Sequence, residues 1–146
     1  MESYPKSALN LVREMTAEAI ANPARAVAFQ GAPGANSHLA ALEVDPDCLP
    51  LPCFSFEDAI DAVKEGRADR AVIPIENSLH GRVADIHFLL PESGLSIIGE
   101  HFLPIRFHLM AVKGATLATL TRVQSHIHAL GQCRKIIRKL GLKAEV

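Results

Sequence analysis

The chain is short of cysteine, of net charge and of long apolar runs, and each shortage removes a class of protein. Its three cysteines stand at positions 48, 53 and 133. That odd number makes no disulfide framework, so reduced thiols and a cytoplasmic setting are expected. Fifteen basic residues face 16 acidic ones, for a net charge of -1. Such a balance supplies no electrostatic reason for a nucleic acid or an anionic membrane as partner. No apolar run approaches the roughly 20 residues of a membrane span. The opening "MESYPKSALNLVREMTAEAIANP" has scattered charges and no continuous apolar centre, unlike a secretory signal. Gly-x-Ser-x-Gly is absent, which leaves no hydrolase nucleophile elbow to read. The three-glycine dinucleotide pattern and the phosphate-binding Gly-Lys-Ser/Thr ending are absent too. His and Cys have no finger-like pairing, so no metal site is expected.

What is present is the composition of a folded domain. Hydrophobic residues make up 49% and charged residues 21% of 146. That length suits one ordinary domain or two small lobes, burying roughly two thirds of the unfolded surface. Residues 7–21 have an amphipathic pattern, with Leu9, Val12, Met15 and Ala19 on one side and Ser7 as a candidate cap. Asn22-Pro23 stops that helix. "RAVAFQG" (25–31) reads as a short buried strand, followed by a loop, "APGANS", and a helix capped by Asn36 or Ser37. A proline-rich connection (45–53) holds a short extended piece. In "SFEDAIDAVKEG" (55–66), Ser55 and Asp58 have capping-box spacing. Phe56, Ala59, Ile60 and Val63 form its apolar face, and Gly66 stops the helix. "RAVIPI" (70–75) is the next strand. The order β-α-β-α-β with short connections predicts a parallel sheet flanked by helices.

Beyond residue 80 the pattern predicts a helix over 83–91 ended by Pro91 and two strand-like runs within 95–112, broken at Leu103-Pro104. A short strand at 121–126, a helix over 128–141 and a final strand starting at Leu142 complete it. A lobe boundary is expected near residue 80. The domains read as a helical extension (1–24), lobe one (25–79) and lobe two (80–146).

Ligands in open parallel sheets bind beyond the carboxyl ends of the strands. Three polar groups fall at such positions. "QGAPGANSH" follows the first strand, and free amides at a helix start beside the Ser37 hydroxyl suit an anion. A plain helix cap is the alternative there. Glu76, Asn77 and Ser78 follow the third strand. A carboxyl at a strand end can serve as acid, base or acceptor, and the amide and hydroxyl can orient a substrate hydroxyl or carboxylate. A strand-to-helix turn capped by Asn77 or Ser78 is the alternative. Ser125 and His126 follow a later strand and precede a helix, forming another potential anion site. Cys133, inside an apolar helical run, reads as core.

Taken in order, "AFQGAPGANSHLAA", "AVIPIENSLHGRV", "IIGEHFLPIRFHLM" and "VQSHIHALGQCRKII" resemble the prephenate dehydratase family from about Ala26 to the last residue. The resemblance implies a two-lobed α/β fold like that of the type II periplasmic solute-binding proteins, with parallel-rich sheets flanked by helices and the site between the lobes. It implies decarboxylating dehydration of prephenate to phenylpyruvate, a step toward phenylalanine, with no metal or organic cofactor. Glu76, Asn77 and Ser78 become the implied catalytic group. Gly34, Ser37, His38, Gly81, Ser125, His126 and Gln132 become the implied substrate-binding residues.

The family's Thr-Arg-Phe motif lies downstream of its Ser-His segment and has no counterpart here, since Thr121-Arg122-Val123 precedes Ser125-His126. The family's regulatory ACT domain has none either. The expectation is therefore a fold incomplete at its C-terminal side, with uncovered sheet edge and apolar surface. A homodimer or larger homo-oligomer would cover them. Two other readings keep the same residues: an arogenate dehydratase, and a carboxylate-binding fragment without turnover.

Overall fold

A computed structural model describes Tyr4 and residues 6–78 and 81–146 of the chain. The described residues form two compact units. One runs up to Asn77 and again from Arg82 to Leu103; the other holds Pro104–Val146 together with Ser78 and Gly81.

The first unit is built on strand β1 (Ala26–Gln30). Strand β2 (Leu49–Cys53) and strand β3 (Arg70–Val72) flank it, both parallel to β1, in the order β2-β1-β3. The register pairs Val27 with both Pro50 and Arg70, and Phe29 with both Pro52 and Val72. Side chains alternate between faces along a strand. Ala26 and Ala28, with Leu51 and Cys53 of β2, pack against Ala19 of helix α1 (Leu9–Ala21) and against Ala59 and Ala62 of helix α3 (Phe56–Lys64). Val27 points the other way and clusters with Ala41 of helix α2 (Asn36–Val44) and with Cys48. Central residues facing helices on both sides explain why Ala26–Phe29 is an unbroken buried run. The core is alanine-rich, and small side chains let helices sit close to the sheet. Phe29 is fully buried, and removing such a side chain from water stabilises the fold by about 1.5–3 kcal/mol.

Helix α3 starts as expected. The Ser55 hydroxyl accepts from the Asp58 amide at 3.2 Å, and the Asp58 carboxylate accepts from the Phe54 amide at 3.1 Å. The other caps differ from expectation. Helix α1 begins after Ala8 with no side-chain cap from Ser7. Helix α2 begins after Ala35, and neither Asn36 nor Ser37 caps it, because both stand inside the helix and the cap position falls on Ala35, which has no side-chain acceptor. Strand β3 stops at Val72 and not at Ile75, since Pro74 has no amide to continue a ladder.

Beyond Pro74, β4 (Glu76–Asn77) and β5 (Gly81–Arg82) form a short ladder, and the Val83 amide donates to the Ile75 carbonyl at 2.9 Å. Helix α4 (Ala84–Ser93) runs through Pro91, contrary to the expected stop. The break comes at Gly94, in the left-handed region at φ 74°. Ser93 seals that end, donating to the Leu90 carbonyl at 2.7 Å and accepting from the Leu95 amide at 3.0 Å. The two strands expected within 95–112 do not form. A strand needs a partner for its amides and carbonyls, and among the described residues none lies alongside. Ile98, Phe102 and Met110 there are 79%, 80% and 87% exposed.

The second unit contains one β-α-β element. Strand β6 (Arg122–Gln124) leads into helix α5 (Ile127–Lys139), and strand β7 (Lys143–Glu145) returns parallel to β6. Leu130 and Leu142 are its buried side chains. The architecture is α/β, with parallel sheets flanked by helices. No described helix is long and apolar enough to cross a membrane.

Candidate functional site

In the first unit two loops leave neighbouring parallel strands at their carboxyl ends. One, Gly31–Ala35, connects β1 to α2; the other, from Ile73, connects β3 to Glu76. The first loop is fastened at both ends. The Gly31 amide donates to the Cys53 carbonyl at 2.9 Å, tying the loop to the end of β2. The Gly34 amide donates to Nδ1 of His38 at 2.9 Å. Between them, the Ala35 amide closes a turn onto the Ala32 carbonyl at 3.0 Å.

Gly31 is required by its geometry. Its φ is 121°, and an added Cβ would stand 3.1 Å from that of Ala35. His38 is set by its neighbours as well. Its ring stacks on that of Phe29, centroids 5.1 Å apart and planes 17° apart. Burial lowers its pKa from the ordinary 6.5. The hydrogen bond from Gly34 uses the Nδ1 lone pair, so the proton of the neutral ring is assigned to Nε2. His38 is thus a neutral donor at its far nitrogen and an anchor at its near one. The first amides of α2 and the half-buried Ser37 complete a set of neutral donors at a helix start.

Glu76 is exposed and Asn77 half-buried, both on β4 in the same unit. The chemistry-bearing residues of this unit are therefore Gly34, Ser37 and His38 on one loop, with Glu76 and Asn77 on the connection from the adjacent strand. Ser78 is exposed and, with Gly81, belongs to the other unit.

Within the second unit, Ser125 and His126 stand at the end of β6. The Ser125 amide donates to the Glu145 carbonyl at 3.2 Å, which leaves its exposed hydroxyl for other partners. His126 caps α5, its Nδ1 accepting from the His128 amide at 3.3 Å, and the two rings lie 5.0 Å apart. Gln132 is half-buried on α5, as is Cys133. Among the described residues, no group of three His, Cys, Asp or Glu side chains could hold a metal ion.

Two features at the first loop escape a reading of the sequence by motif. One is the need for glycine at Gly31, whose signal is its place one residue past a strand end. The other is the anchoring role of His38, whose signal is the four-residue spacing from Gly34.

Comparison with known proteins bears on the same residues. The family model described as prephenate dehydratase matches residues 27–146. A bifunctional N-acyl-homoserine lactone acylase/prephenate dehydratase of Komagataeibacter europaeus is 50% identical over 121 residues, covering 83% of this chain and 43% of that protein. Arogenate dehydratase 1 of Petunia hybrida is 48% identical over 116 residues, covering 80% of this chain and 27% of that protein. A solved structure titled "GqqA- a novel type of quorum quenching acylases" superposes with a TM-score of 0.69 at 49% identity, over 84% of this chain and 45% of that one. The chain spans less than half the length of these relatives.

Proposed function

The chain belongs to the prephenate dehydratase family, and from that premise we propose that it carries residues of a site converting prephenate to phenylpyruvate, water and carbon dioxide. Prephenate has two carboxylates and a ring hydroxyl. In the reaction the ring C–O bond breaks, and the departing hydroxide takes a proton to become water. The bond to the ring carboxylate breaks as well, and its electron pair stays to complete the aromatic ring. A protein serves this reaction with neutral donors for the carboxylates and an acid near the hydroxyl.

One observation carries the proposal. The donor-rich loop Gly31–His38 and the connection bearing Glu76 and Asn77 leave adjacent parallel strands at the same, carboxyl, end. Ser37 and the amides around it would hold one carboxylate, as would Ser125 with the amides near His126. Asn77 and Ser78 would position the ring hydroxyl, and Glu76 would supply the proton or orient the group that does. The proposal includes a two-lobed arrangement of the kind seen in type II periplasmic binding proteins, a cytoplasmic setting and a homo-oligomeric state.

Arogenate, with an amino group in place of the keto group, is a second substrate candidate, supported by the name of the Petunia relative. The Komagataeibacter relative's name adds hydrolysis of an N-acyl-homoserine lactone as a further activity to assay. The test is product formation by the purified chain from prephenate, arogenate and an acyl-homoserine lactone, alongside binding of phenylpyruvate. Phenylpyruvate release above the spontaneous rate supports the leading reading. A cooperatively folded chain that neither turns over prephenate nor binds phenylpyruvate would overturn it.

A further inference from the structure

The family match begins at residue 27, yet the segment before it is built into the first unit. Ala19 of α1 is fully buried in the same cluster as Ala26, Ala28 and Cys53, and Val12 is buried too. Ahead of α1, the Tyr4 ring meets the ring of Phe54 edge to face, centroids 6.0 Å apart at 74°.

Phe54 occupies a particular place. It is the residue after β2, at the carboxyl end of the sheet, where the candidate ligand loop begins. Its carbonyl accepts from Gln30 Nε2, the last side chain of β1, at 3.3 Å. Its amide donates to Asp58 at 3.1 Å. Its neighbour Cys53 offers the carbonyl that holds the Gly31 amide at 2.9 Å. An aromatic ring seated on Phe54 therefore bears on the turn that anchors the start of the Gly31–Ala35 loop.

The Tyr4 hydroxyl separates two explanations of the residue. That oxygen is buried and, among the described residues, has no hydrogen-bond partner. A buried hydroxyl without a partner costs free energy. So the ring, and not the hydroxyl, is what the fold uses.

From these contacts we infer that Tyr4 is a positioning residue for the Gly31–His38 loop, acting through Phe54, and that the segment ahead of the family region is part of the site's support. Its relevance to catalysis rests on the dehydratase reading above; its structural content does not.

The test uses the full 146-residue chain, labelled for amide resonance and hydrogen-exchange measurements. Tyr4→Leu keeps apolar bulk and removes the ring edge. Tyr4→Phe keeps the ring and removes the hydroxyl. Val12→Ala weakens α1 packing at a second buried position. Tyr4→Leu is expected to displace the Gly31 and Gly34 amide resonances, to speed exchange at the Gly31 amide at least fivefold and to weaken phenylpyruvate binding severalfold. Tyr4→Phe is expected to match the wild type in all three and to melt no lower. Val12→Ala is expected to lower the melting temperature with both glycine resonances in place. Should Tyr4→Leu lower the melting temperature and leave Gly31 and Gly34 unmoved, Tyr4 is a packing residue only and the inference falls. Loss of the same resonances in Tyr4→Phe would overturn the ring's role. A wild-type chain that binds no phenylpyruvate counts against the dehydratase reading, while the glycine resonances still decide the role of Tyr4.

Discussion

The amide of Gly34 donates to Nδ1 of His38, four residues on and 2.9 Å away, while the face of the same imidazole lies against Phe29. One ring thereby joins the hydrophobic core to the Gly31–Ala35 loop. Only a neutral imidazole can do so, because protonation of Nδ1 removes the acceptor.

That requirement gives a sign to the acid side of the stability curve. Burial places the folded pKa of His38 below its ordinary 6.5. As pH falls, the unfolded chain takes the proton first, so this contribution is present above about 6.5 and is lost as pH falls through the folded value. Replacement by phenylalanine keeps the stack on Phe29 and removes both the titration and the acceptor. His38→Phe is expected to flatten the decline of the denaturation midpoint below pH 6.5 and to speed exchange of the Gly34 amide. An unchanged slope would show that another group drives the acid limb.

On the alkaline side two groups act together. Burial, reinforced by the charge of Asp58, pushes the Cys53 thiol up from 9.0 to about 12. Burial, then the charges of Cys53 and Asp58, pushes the Tyr4 phenol up from 10.0 to about 12. The unfolded chain releases these protons first, so stability is full below pH 9 and falls as pH rises toward 12. Urea midpoints measured across that window should fall less steeply in Cys53→Ala than in the wild type.

Gly31 tolerates no side chain without cost. Its φ of 121° is rarely adopted by other residues, and Ala35 stands in the way of a Cβ. Gly31→Ala is expected to cost about 1–3 kcal/mol, read as a lower urea midpoint with an unchanged slope. Its amide resonance should move as well, since the bond to Cys53 depends on the same backbone angle.

Glu76 and Ser78 are both exposed and carry little of the packing. Glu76→Gln and Ser78→Ala should leave the melting temperature within about 1–2 °C of the wild type, as surface changes do. On the dehydratase reading, each should lower the turnover of prephenate, by roughly 100-fold or more where the residue handles the proton. Wild-type kinetics in either variant would remove that residue from the mechanism.

Much of the first unit is legible in the residues. Four consecutive apolar positions before Gly31 mark a strand covered on both faces, and Ser55 with Asp58 marks a helix start that forms as written. The legible part ends where two side chains compete or where a partner is distant. Ser37 has the chemistry of a cap, but the helix starts one residue before it and leaves the cap position to Ala35. Pro91 has the chemistry of a stop, but Gly94 supplies the left-handed turn that ends the helix three residues later. Apolar alternation over 95–112 records what a strand would bury, not whether a neighbour is present. The contact of Tyr4 with Phe54 joins residues far apart in the chain and has no periodic trace at all.

The prolines of β2 have a consequence beyond the sheet they join. Pro50 and Pro52 alternate with the residues whose carbonyls and amides face β1, so the positions that would offer amides to the outside have none. An incoming strand at that border would meet acceptors and no donors. The sheet is thereby protected on this side against runaway stacking with other copies, the hazard that open edges create during folding and at high concentration. Protection is chemical and permanent, and it would hold in a chain whose helices had not yet docked.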